Sequence, residues 1–464
     1  MVKISETQQV QPIKNLPDGP KTPRLIQTIR GILQPFKYLE KSAREYGDFY
    51  TVKFAGFPNQ VVISNPQAIQ EIFTSDFKTF NSAQGNEVLR PLLGEYSIVL
   101  NDGNYHQQQR KLLLPSFHGE RMKAYGKTIC EITQQVINQW QIGQVFSARE
   151  AMQEISLRII LRSVFGLDEG ERYHQLRELM GELIDTIGSP LKSSFILLPL
   201  LQKDLGAWSP WGKFIRQKQQ INQLLTAEIQ ERKAANDFSK EDILTLMMSA
   251  KDEAGQPMTE AELRDELMTL LFAGHETTAT ALAWALYWIH YLPEVKTKLL
   301  NELNSLGKNP DLMEITKLPY LNAVCCETLR IYPVVLFTFP RIVQKPITIM
   351  DYEFQPGTIL APCIYLVHHR EDLYPQSKQF KPERFLEKQF SPYEFFPFGG
   401  GNRRCIGMAF AMFEMKLVLA TILQSTELKL LENHLVLPVR RGVTMAPAGG
   451  VKMALTSNST KLAS

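Results

Sequence analysis

Apolar residues recur at helical spacing over most of the chain between residues 65 and 330. The longest segment of this kind runs from about 260 to 291 and must end before Pro293. A helix of that length spans ~48 Å, which is enough to cross a whole domain. Thr259 and Glu262 have the spacing of a capping box at its start. Four further helices are predicted from the same spacing, at 120–140, 150–165, 170–187 and 212–235.

Shorter segments rich in β-branched residues lie on either side of this helical region. Residues 49–63 contain two such pieces around a turn, which predicts a β-hairpin. Segments 343–365 and 427–456 have the same character and predict short strands, and a last helix is predicted from about 407 to 424. The pattern therefore predicts a mainly α protein with a minor β region.

The composition of the 464-residue chain is that of a globular protein. Apolar residues make up 44% and charged residues 21%, which excludes disordered, collagen-like and coiled-coil classes. The formal net charge is +3, from 51 Lys and Arg against 48 Asp and Glu, so nucleic-acid binding is not predicted. No repeat or linker divides the chain. We predict a flexible Pro-rich arm over residues 1–23, followed by one domain over residues 24–464.

The predicted location is the cytoplasm. The N-terminus lacks the apolar core of a secretory signal, and no apolar run reaches the ~18 residues that a membrane span needs. The longest apolar stretch, around 267–289, is interrupted by Gly274, His275 and Glu276. We therefore expect no transmembrane anchor and at most peripheral membrane contact. We also expect a monomer.

The cysteine count is odd. The five cysteines include no Cys-x-x-Cys pair, and the adjacent Cys325 and Cys326 are poorly placed to bridge each other. The sequence thus predicts no disulfide framework, which fits a reducing compartment. Four of the five can be small buried apolar residues, but at least one needs another explanation.

One cysteine lies in a loop whose residues suit metal binding. Phe398, Gly401, Arg403, Cys405 and Gly407 form the pattern FxxGxRxCxG directly before the last predicted helix. Glycines allow a close backbone approach that side chains would block, and a thiolate is favoured by the N–H groups and dipole of a helix N-terminus. An anionic sulfur presented in this way suits a soft or borderline metal such as iron. A neighbouring arginine suits a cofactor carboxylate.

The middle of the longest predicted helix contains poor helix formers. Gly274, Thr277 and Thr278 each lower helix stability, and such local inconsistency is expected at functional sites. Gly274 would leave room for a ligand against the helix, a threonine hydroxyl could bond to a bound molecule, and Glu276 could relay protons. The alternative is a solvated polar stripe, but the apolar segments on both sides argue against it.

The cysteine loop resembles the haem-binding loop of the cytochrome P-450 family. The resemblance implies the family's fold, a triangular prism of helices that holds haem b between a long distal helix and a proximal cysteine loop and helix. It further implies that the Cys405 thiolate binds the haem iron, that Phe398 packs beside the sulfur and that Arg403 binds a haem propionate. The implied activity is that of a monooxygenase, which inserts one oxygen atom of O2 into an apolar substrate.

Two further motifs occur in the family's order. The AGHETT segment matches the family's distal-helix motif, which implies that Glu276 and Thr277 deliver the protons needed to cleave O2. The HQQQR segment resembles the family's WxxxR, with His106 in place of tryptophan, so His106 and Arg110 are expected to contact a propionate. By the same resemblance, Arg341 is a further propionate-binding residue.

The ETLR and KPERF segments complete the resemblance. Glu327 and Arg330, three residues apart, would alone be interpreted as a surface ion pair. With Arg384 they match a buried charge network of the family, so we assign the three a structural role. His368 and His369 are adjacent and would make a poor chelate, and we assign no metal to them.

We expect hydroxylation of a long-chain fatty acid or an alkane, because the chain is similar to bacterial members close to the fatty-acid hydroxylases. A terpenoid or another isoprenoid is the alternative. The apolar region 194–211, which contains Trp208 and Trp211, matches an access channel by position and would admit lipid-like substrates from a membrane surface. Ordinary packing between helices is the other interpretation of this region. The predicted pocket lining is apolar and consists of Leu271, Phe272, Ala273, Val334, Val335, Leu336, Phe337, Thr444 and Met445.

Separate proteins are expected to supply the electrons. The chain leaves no room for a flavin domain, so a ferredoxin or flavodoxin and its NAD(P)H reductase are the expected partners. Basic residues such as Arg404 and Lys111 would form the docking surface. Two rival classes stay open, a peroxide-driven or isomerising haem-thiolate enzyme and a non-catalytic haem sensor. Neither class needs the acid–threonine pair that this chain carries.

Overall fold

The computed structural model describes residues 16–119, 121–188, 202–206, 208–235, 240–307 and 310–458. Helices dominate this part of the chain, and the predicted mainly α class is confirmed. The helices are α1 (Arg24–Leu33), α2 (Pro35–Tyr46), α3 (Pro66–Thr74), α4 (Arg90–Leu93), α5 (Gly103–Leu113), α6 (Arg121–Ile137), α7 (Ala148–Phe165), α8 (Glu171–Gly188), α9 (Pro210–Ala235), α10 (Ile243–Ser249), α11 (Glu260–Tyr291), α12 (Pro293–Ser305), α13 (Leu312–Ile315), α14 (Pro319–Ile331), α15 (Ile364–His368), α16 (Arg384–Glu387) and α17 (Met408–Ser425).

The strands form small sheets beside the helices. Five strands pair in the order β1-β2-β8-β5-β3, in which only β2 and β8 run parallel. Three more pair as β4-β12-β9, and β6-β7 and β10-β11 are separate hairpins. The strands are β1 (Phe49–Val52), β2 (Gln60–Ile63), β3 (Phe80–Asn81), β4 (Val145–Ser147), β5 (Arg341–Val343), β6 (Ile347–Ile349), β7 (Tyr352–Phe354), β8 (Ile359–Pro362), β9 (Thr426–Leu430), β10 (Pro438–Arg441), β11 (Thr444–Pro447) and β12 (Lys452–Asn458).

The long helix α11 begins and ends where the sequence predicts. The Thr259 hydroxyl accepts a hydrogen bond from the Glu262 N–H at 3.2 Å, and the Glu262 carboxylate accepts one from the Thr259 N–H at 2.7 Å. This reciprocal capping box satisfies two of the free N–H groups at the helix start. Helices α7 and α17 and strand β11 all pack against α11. A helix surrounded in this way can be apolar on nearly every face, as its sequence is.

One described helix, α17, is long and apolar enough to cross a membrane, and 61% of Met408–Ser425 is buried inside the protein. Helix α17 begins three residues after Cys405 and packs against α6 and α11. Its apolar character is therefore explained by its place in the core.

The predicted flexible arm is wrong over residues 16–23. The Thr51 hydroxyl donates to the Pro17 carbonyl at 2.6 Å, and the Thr51 N–H donates to the Asp18 carbonyl at 3.1 Å. A Cβ atom on Gly19 would lie 2.0 Å from the Thr51 carbonyl oxygen. This segment is thus fastened along β1, because its glycine allows the two backbones to touch. The first fifteen residues of the predicted arm lie outside the described residues.

Candidate functional site

The cysteine loop is shaped by close contact with helix α3. Gly399 and Gly401 adopt φ values of +68° and +62°, which side chains disfavour. A Cβ atom on Gly400 would lie 2.0 Å from the Phe73 ring, and one on Gly401 would lie 2.5 Å from the Phe73 carbonyl oxygen. The three consecutive glycines therefore allow both the turn and the approach to α3. Phe73 is a site residue that the sequence pattern did not indicate.

Cys405 is presented at the end of this loop, directly before α17. Its N–H donates to the Phe398 carbonyl at 2.9 Å, so the structure brings these two predicted residues together. The residue is exposed, although surrounding protein raises the pKa of its thiol by desolvation. The Gly407 N–H and the charges of Arg110 and Arg404 act in the opposite direction and favour the thiolate.

Four basic side chains converge on one region beside the loop. His106 and Arg341 are each only 3% exposed, and Arg403 is also buried. Burial, joined by the charges of Arg403, Arg110 and Arg341, lowers the pKa of His106 to about 3. Burial likewise lowers the pKa of Arg341 to about 9, helped by Arg403. The predicted propionate-binding residues therefore form one electropositive cluster.

Asp102 is the carboxylate that stabilises part of this cluster. It pairs with the Arg403 guanidinium and accepts hydrogen bonds from the Ser82 and Ala83 N–H groups at 2.6 and 2.7 Å. Arg403 also donates to the Ile98 carbonyl at 3.1 Å. Sequence reasoning missed Asp102, and the available signal was its place directly before α5, at the N-cap position.

The cluster has hydrogen-bond donors and positive charge with which it could bind an anion. The Arg403 Nε atom is buried and has no hydrogen-bond partner in the described part of the chain. Arg341 donates to the Ser82 hydroxyl at 3.1 Å and to the Phe339 and Gly400 carbonyls at 2.7 and 3.4 Å, and all three partners are neutral. Buried cations are normally paired, so three arginines around one carboxylate leave a positive excess. An accessible thiol and this excess fit a metal cofactor that carries carboxylates, as haem does.

One face of α11 carries accessible residues of the AGHETT segment. Ala273 is exposed and Thr277 is half-buried, and the two share a helix face because they are four residues apart. The Thr277 hydroxyl donates to the Ala273 carbonyl at 2.6 Å. This hydroxyl therefore stands on the accessible side of the helix, within reach of a bound molecule.

Glu276 points elsewhere. Its carboxylate accepts from Arg149 Nη2 at 2.6 Å and from Gln153 Nε2 at 2.7 Å, both on α7. Thr280 Oγ1 lies 3.5 Å from the same carboxylate. The structure thus does not join Glu276 to the Thr277 hydroxyl, and it assigns Glu276 a place between α11 and α7.

Gly274 serves helix packing, which corrects the expectation that it leaves room for a ligand. A Cβ atom at this position would lie 2.5 Å from Ile160 Cδ1 on α7. The glycine therefore lets α7 approach the back of α11. His275 is buried on the same side, where its Nε2 atom lies 2.9 Å from the Gln153 carbonyl.

A seam of buried polar atoms lies where α7, α11 and α17 meet, and these atoms have no hydrogen-bond partner among the residues that the structure describes. These atoms are Arg149 Nε, Ser156 Oγ, His275 Nδ1 and Glu414 Oε1. Burial raises the pKa of Glu414, beside Ser156, to about 8. Buried polar groups that lack protein partners are usually satisfied by ordered water. We therefore expect water in this seam, close to Glu276.

Glu327, Arg330 and Arg384 form a buried charge network on the proximal side. Arg330 donates from Nε and Nη2 to both Glu327 oxygens at 2.6 and 2.8 Å, and Arg384 Nε donates at 3.1 Å. The Glu327 and Arg330 side chains are fully buried. Arg330 also donates to the His368 and Ser377 carbonyls at 2.7 and 2.9 Å, so it ties α14 to the chain that leads to the cysteine loop.

Because two histidines are buried, we expect the free energy of unfolding to fall at acid pH. Burial lowers the pKa of His368 to about 3 and that of His290 to about 4, against ~6.5 in an unfolded chain. Between roughly pH 6.5 and 4 the unfolded chain takes up protons that the folded protein does not, so the free energy of unfolding should fall as pH falls. In the wild type the Phe396 N–H donates to His368 Nε2 at 3.1 Å, and the amide oxygen of glutamine can accept the same hydrogen bond. The thermal unfolding midpoint of His368→Gln should depend less on pH, because glutamine does not titrate.

The matched control is His434→Gln, because His434 is exposed. It should leave the pH dependence of the unfolding midpoint unchanged. A His368 variant with the full dependence of the wild type would contradict the assignment of a neutral buried histidine.

The predicted pocket residues divide into two groups. Phe272 and Val334 to Phe337 are half-buried and Ala273 is exposed. Leu271, Thr444 and Met445 are fully buried. Leu271 lies on the opposite face of α11 from Ala273, among core side chains, so the structure does not place it in the lining. Val443, which is 50% exposed, is the accessible residue of the turn between β10 and β11.

Most of the predicted access region lies outside the described residues, which resume at residue 202 and omit residue 207. Trp208 is 79% exposed. Trp211 packs on Phe214, with ring centroids 5.3 Å apart. The two tryptophans therefore differ, since only Trp208 stands free of the helix packing.

Comparisons with known proteins agree on one family. A family model described as cytochrome P-450 matches residues 17–451. A Mycobacterium tuberculosis protein named putative cytochrome P-450 135B1 is 34% identical over 439 residues, covering 94% of this chain and 91% of that protein. A Mycobacterium bovis protein named putative cytochrome P-450 138 is 31% identical over 98% of this chain and 99% of that protein.

A solved structure named "Retinoic acid bound cyanobacterial CYP120A1" is similar in fold. It superposes with a TM-score of 0.81 and covers 96% of this chain and 100% of its own, at 24% sequence identity. At that identity the likeness concerns the fold alone.

Proposed function

This chain belongs to the cytochrome P-450 family, and from that premise we propose that it hydroxylates a long-chain fatty acid or an alkane. As a member of the family it is a monooxygenase that uses thiolate-bound haem and O2. The observation that supports the proposal best is the accessible Cys405 thiol, set before α17 and beside the electropositive cluster. The half-buried apolar residues of the predicted pocket lining favour an apolar substrate.

In this proposal the chain's own residues hold the cofactor. The Cys405 thiolate would bind the iron, and His106, Arg110, Arg341 and the free Nε of Arg403 would bind the propionates. When bound, haem would supply the centre at which O2 is activated so that one of its oxygen atoms can be inserted into a C–H bond. Arg110 is positioned for this role by its hydrogen bond to the Arg404 carbonyl, at 2.6 Å.

Two residues on different faces of α11, Glu276 and Thr277, would take part in proton delivery. Arg149 and Gln153 hold the Glu276 carboxylate beside the polar seam, where water can exchange protons with it. The Thr277 hydroxyl donates to the Ala273 carbonyl, so its oxygen is left able to accept a hydrogen bond on the accessible face. Thr277 would thus orient the last proton donor, while Glu276 would replenish it.

Replacing Thr277 with alanine is expected to uncouple reductant use from product formation. The variant should lose about tenfold in product formed per NAD(P)H consumed, because positioned proton transfer contributes a large part of such steps. The measurement compares NAD(P)H oxidation, peroxide release and product in one assay. Thr278→Ala is the matched control, since Thr278 is buried on another face. Full coupling in Thr277→Ala would contradict the proposed role.

Substrate class is tested by a paired panel. Fatty acids, alkanes and terpenoids are screened by the spectral shift of ferric haem and then by O2-dependent product formation with a supplied redox partner. Hydroxylated fatty acid or alkane supports the proposal. Turnover of terpenoids alone would replace it with the isoprenoid alternative, and product formed with peroxide but not with O2 would indicate the peroxide-driven class.

A separate ferredoxin or flavodoxin with its NAD(P)H reductase is the proposed electron source, in the cytoplasm. The exposed Arg404 lies beside Cys405 and supports docking of an acidic partner. Lys111 is less free, because its ammonium pairs with Glu253 at 2.7 Å.

A further inference from the structure

The hairpin of β10 and β11 stands beside the predicted pocket lining. The Met445 N–H donates to the Val334 carbonyl at 2.8 Å, and Trp284 Nε1 donates to the Met445 carbonyl at 2.9 Å. At the turn, a Cβ atom on Gly442 would lie 3.2 Å from the Ile187 carbonyl oxygen. The hairpin therefore contacts α11, the end of α8 and the segment that follows α14.

Arg440, on β10, is accessible and yet enclosed by protein. The residue is exposed, but burial of its guanidinium among protein atoms lowers the pKa of that group. An arginine on the outer surface is surrounded mainly by water and is not desolvated in this way. Exposure together with desolvation therefore indicates that Arg440 borders an enclosed, accessible space. Cys405, at the predicted haem site, has the same combination of properties.

No carboxylate of the described residues balances the charge of Arg440. Its Nε donates to the Gly442 carbonyl at 3.1 Å, which is a neutral partner. Burial is the only cause of its lowered pKa, so no described carboxylate lies close enough to raise it. Residues 189–201, which follow α8 in the sequence, contain no Asp or Glu. Because a desolvated cation is normally paired, Arg440 is suited to an anion from outside the chain.

A second arginine adds positive charge to the hairpin. Arg441, the next residue, has a buried Nε atom without a hydrogen-bond partner in the part of the chain that the structure describes. Its register partner across the hairpin is Thr444, a residue of the predicted pocket lining. The hairpin thus brings two arginines to the edge of the predicted pocket.

Arg440 does not belong to the electropositive cluster assigned to the haem propionates. In that cluster the charges of Arg403 and Arg341 act on the pKa of His106, and the charge of Arg403 acts on that of Arg341. The charge of Arg440 affects none of these groups, and theirs do not affect Arg440. Arg440 therefore lies apart from the propionate residues and is available to a different anion.

We propose that Arg440 binds the carboxylate of the substrate, so that the substrate is a long-chain acid rather than an alkane. Of the described residues, only the Gly442 carbonyl accepts from this guanidinium, at Nε, which leaves both Nη groups for parallel hydrogen bonds to a carboxylate. The apolar chain would lie along the half-buried residues 334–337 and the exposed Val443. This assignment rests on the proposed function, because it names the class of substrate for the same site.

The test compares an acid with its own methyl ester on the haem-loaded, full-length protein. Tetradecanoate and methyl tetradecanoate have the same apolar chain, and the spectral shift of ferric haem gives both dissociation constants. The wild type should bind the acid at least about tenfold more tightly than the ester. Arg440→Gln should bind the acid about tenfold more weakly and the ester as the wild type does. Arg440→Lys, which keeps the charge without the paired donors, should recover part of the loss.

Arg44→Gln is the matched control, because Arg44 is an exposed arginine elsewhere, on α2. It should leave both dissociation constants unchanged. The unfolding midpoints of the Arg440 and Arg44 variants should match the wild type, because both residues are exposed. An acid-to-ester ratio near one in the wild type, or the same ratio in Arg440→Gln as in the wild type, would overturn the inference.

Failure of the proposed function gives a different result. Hydroxylation of tetradecanoate without any effect of Arg440→Gln, or of tetradecane but not tetradecanoate, would leave that function in place and remove only the role of Arg440. If terpenoids alone bind and react, the proposed function is wrong, and abietate with methyl abietate replaces the probe pair. The same ratio and the same loss in Arg440→Gln are then expected, so the role of Arg440 is decided for either substrate class.

Discussion

Replacing Cys405 with serine is expected to abolish both the thiolate spectrum of the haem protein and its oxygenase activity. The structure presents Cys405 before α17 as an exposed residue, and although burial raises the pKa of its thiol, Arg110 and Arg404 act in the opposite direction. A serine hydroxyl is a poor anion at neutral pH and a weak ligand for iron, so the expected loss is complete. The measurement is the absorbance of the reduced protein with carbon monoxide, together with turnover.

The other cysteines provide the control. Cys326→Ser alters a half-buried thiol on α14, and burial raises the pKa of that thiol to about 12. This variant should keep the thiolate spectrum and the activity. A Cys405→Ser protein that retained the spectrum would assign the ligand to another residue and remove the central support of the proposed function.

Replacing Glu327 with glutamine should greatly lower the free energy of unfolding. Glu327 accepts from two buried arginines and from the Lys381 N–H at 2.7 Å. Loss of its charge leaves Arg330 and Arg384 buried with only carbonyl partners. Removing one partner of a buried ion pair costs about 3 to 5 kcal/mol of unfolding free energy, because the remaining charge is uncompensated. Chemical denaturation of the haem-loaded protein measures this quantity.

A second ion pair of identical spacing is the control. Glu87 and Arg90 are also three residues apart and form a salt bridge at 2.7 Å, but both side chains are 39% or more exposed. Glu87→Gln should change the unfolding free energy by less than about 1 kcal/mol. Comparable losses in the two variants would show that burial of Glu327 is not what gives the network its importance.

The sequence was sufficient where a local pattern has one structural consequence. The helix over residues 260–291 follows from apolar spacing, the Thr259–Glu262 capping box and Pro293, and each of these acts within a few residues. The cysteine loop was recognisable because five positions of its ten-residue pattern match the haem-binding loop of the family.

Where the sequence-based prediction of a residue's role was wrong or missing, contacts between distant segments determine that role. Gly274 was expected to make room for a ligand, yet Ile160, over one hundred residues earlier, occupies the space beside it. Leu271 was placed in the pocket because it adjoins Phe272 and Ala273, but a helix turns by about 100° per residue and carries it into the core. Asp102 became part of the site only because folding brings it to Arg403.

What the sequence by itself determined is the family, its fold class and the identity of the candidate cofactor residues, because these reside in short motifs and helical periodicity. What only the tertiary structure decided is which partner each side chain meets. Glu276 turns to Arg149 rather than to Thr277, and Arg440 is desolvated because other segments surround the hairpin of β10 and β11. Such choices depend on contacts between distant segments, which no local pattern of residues encodes.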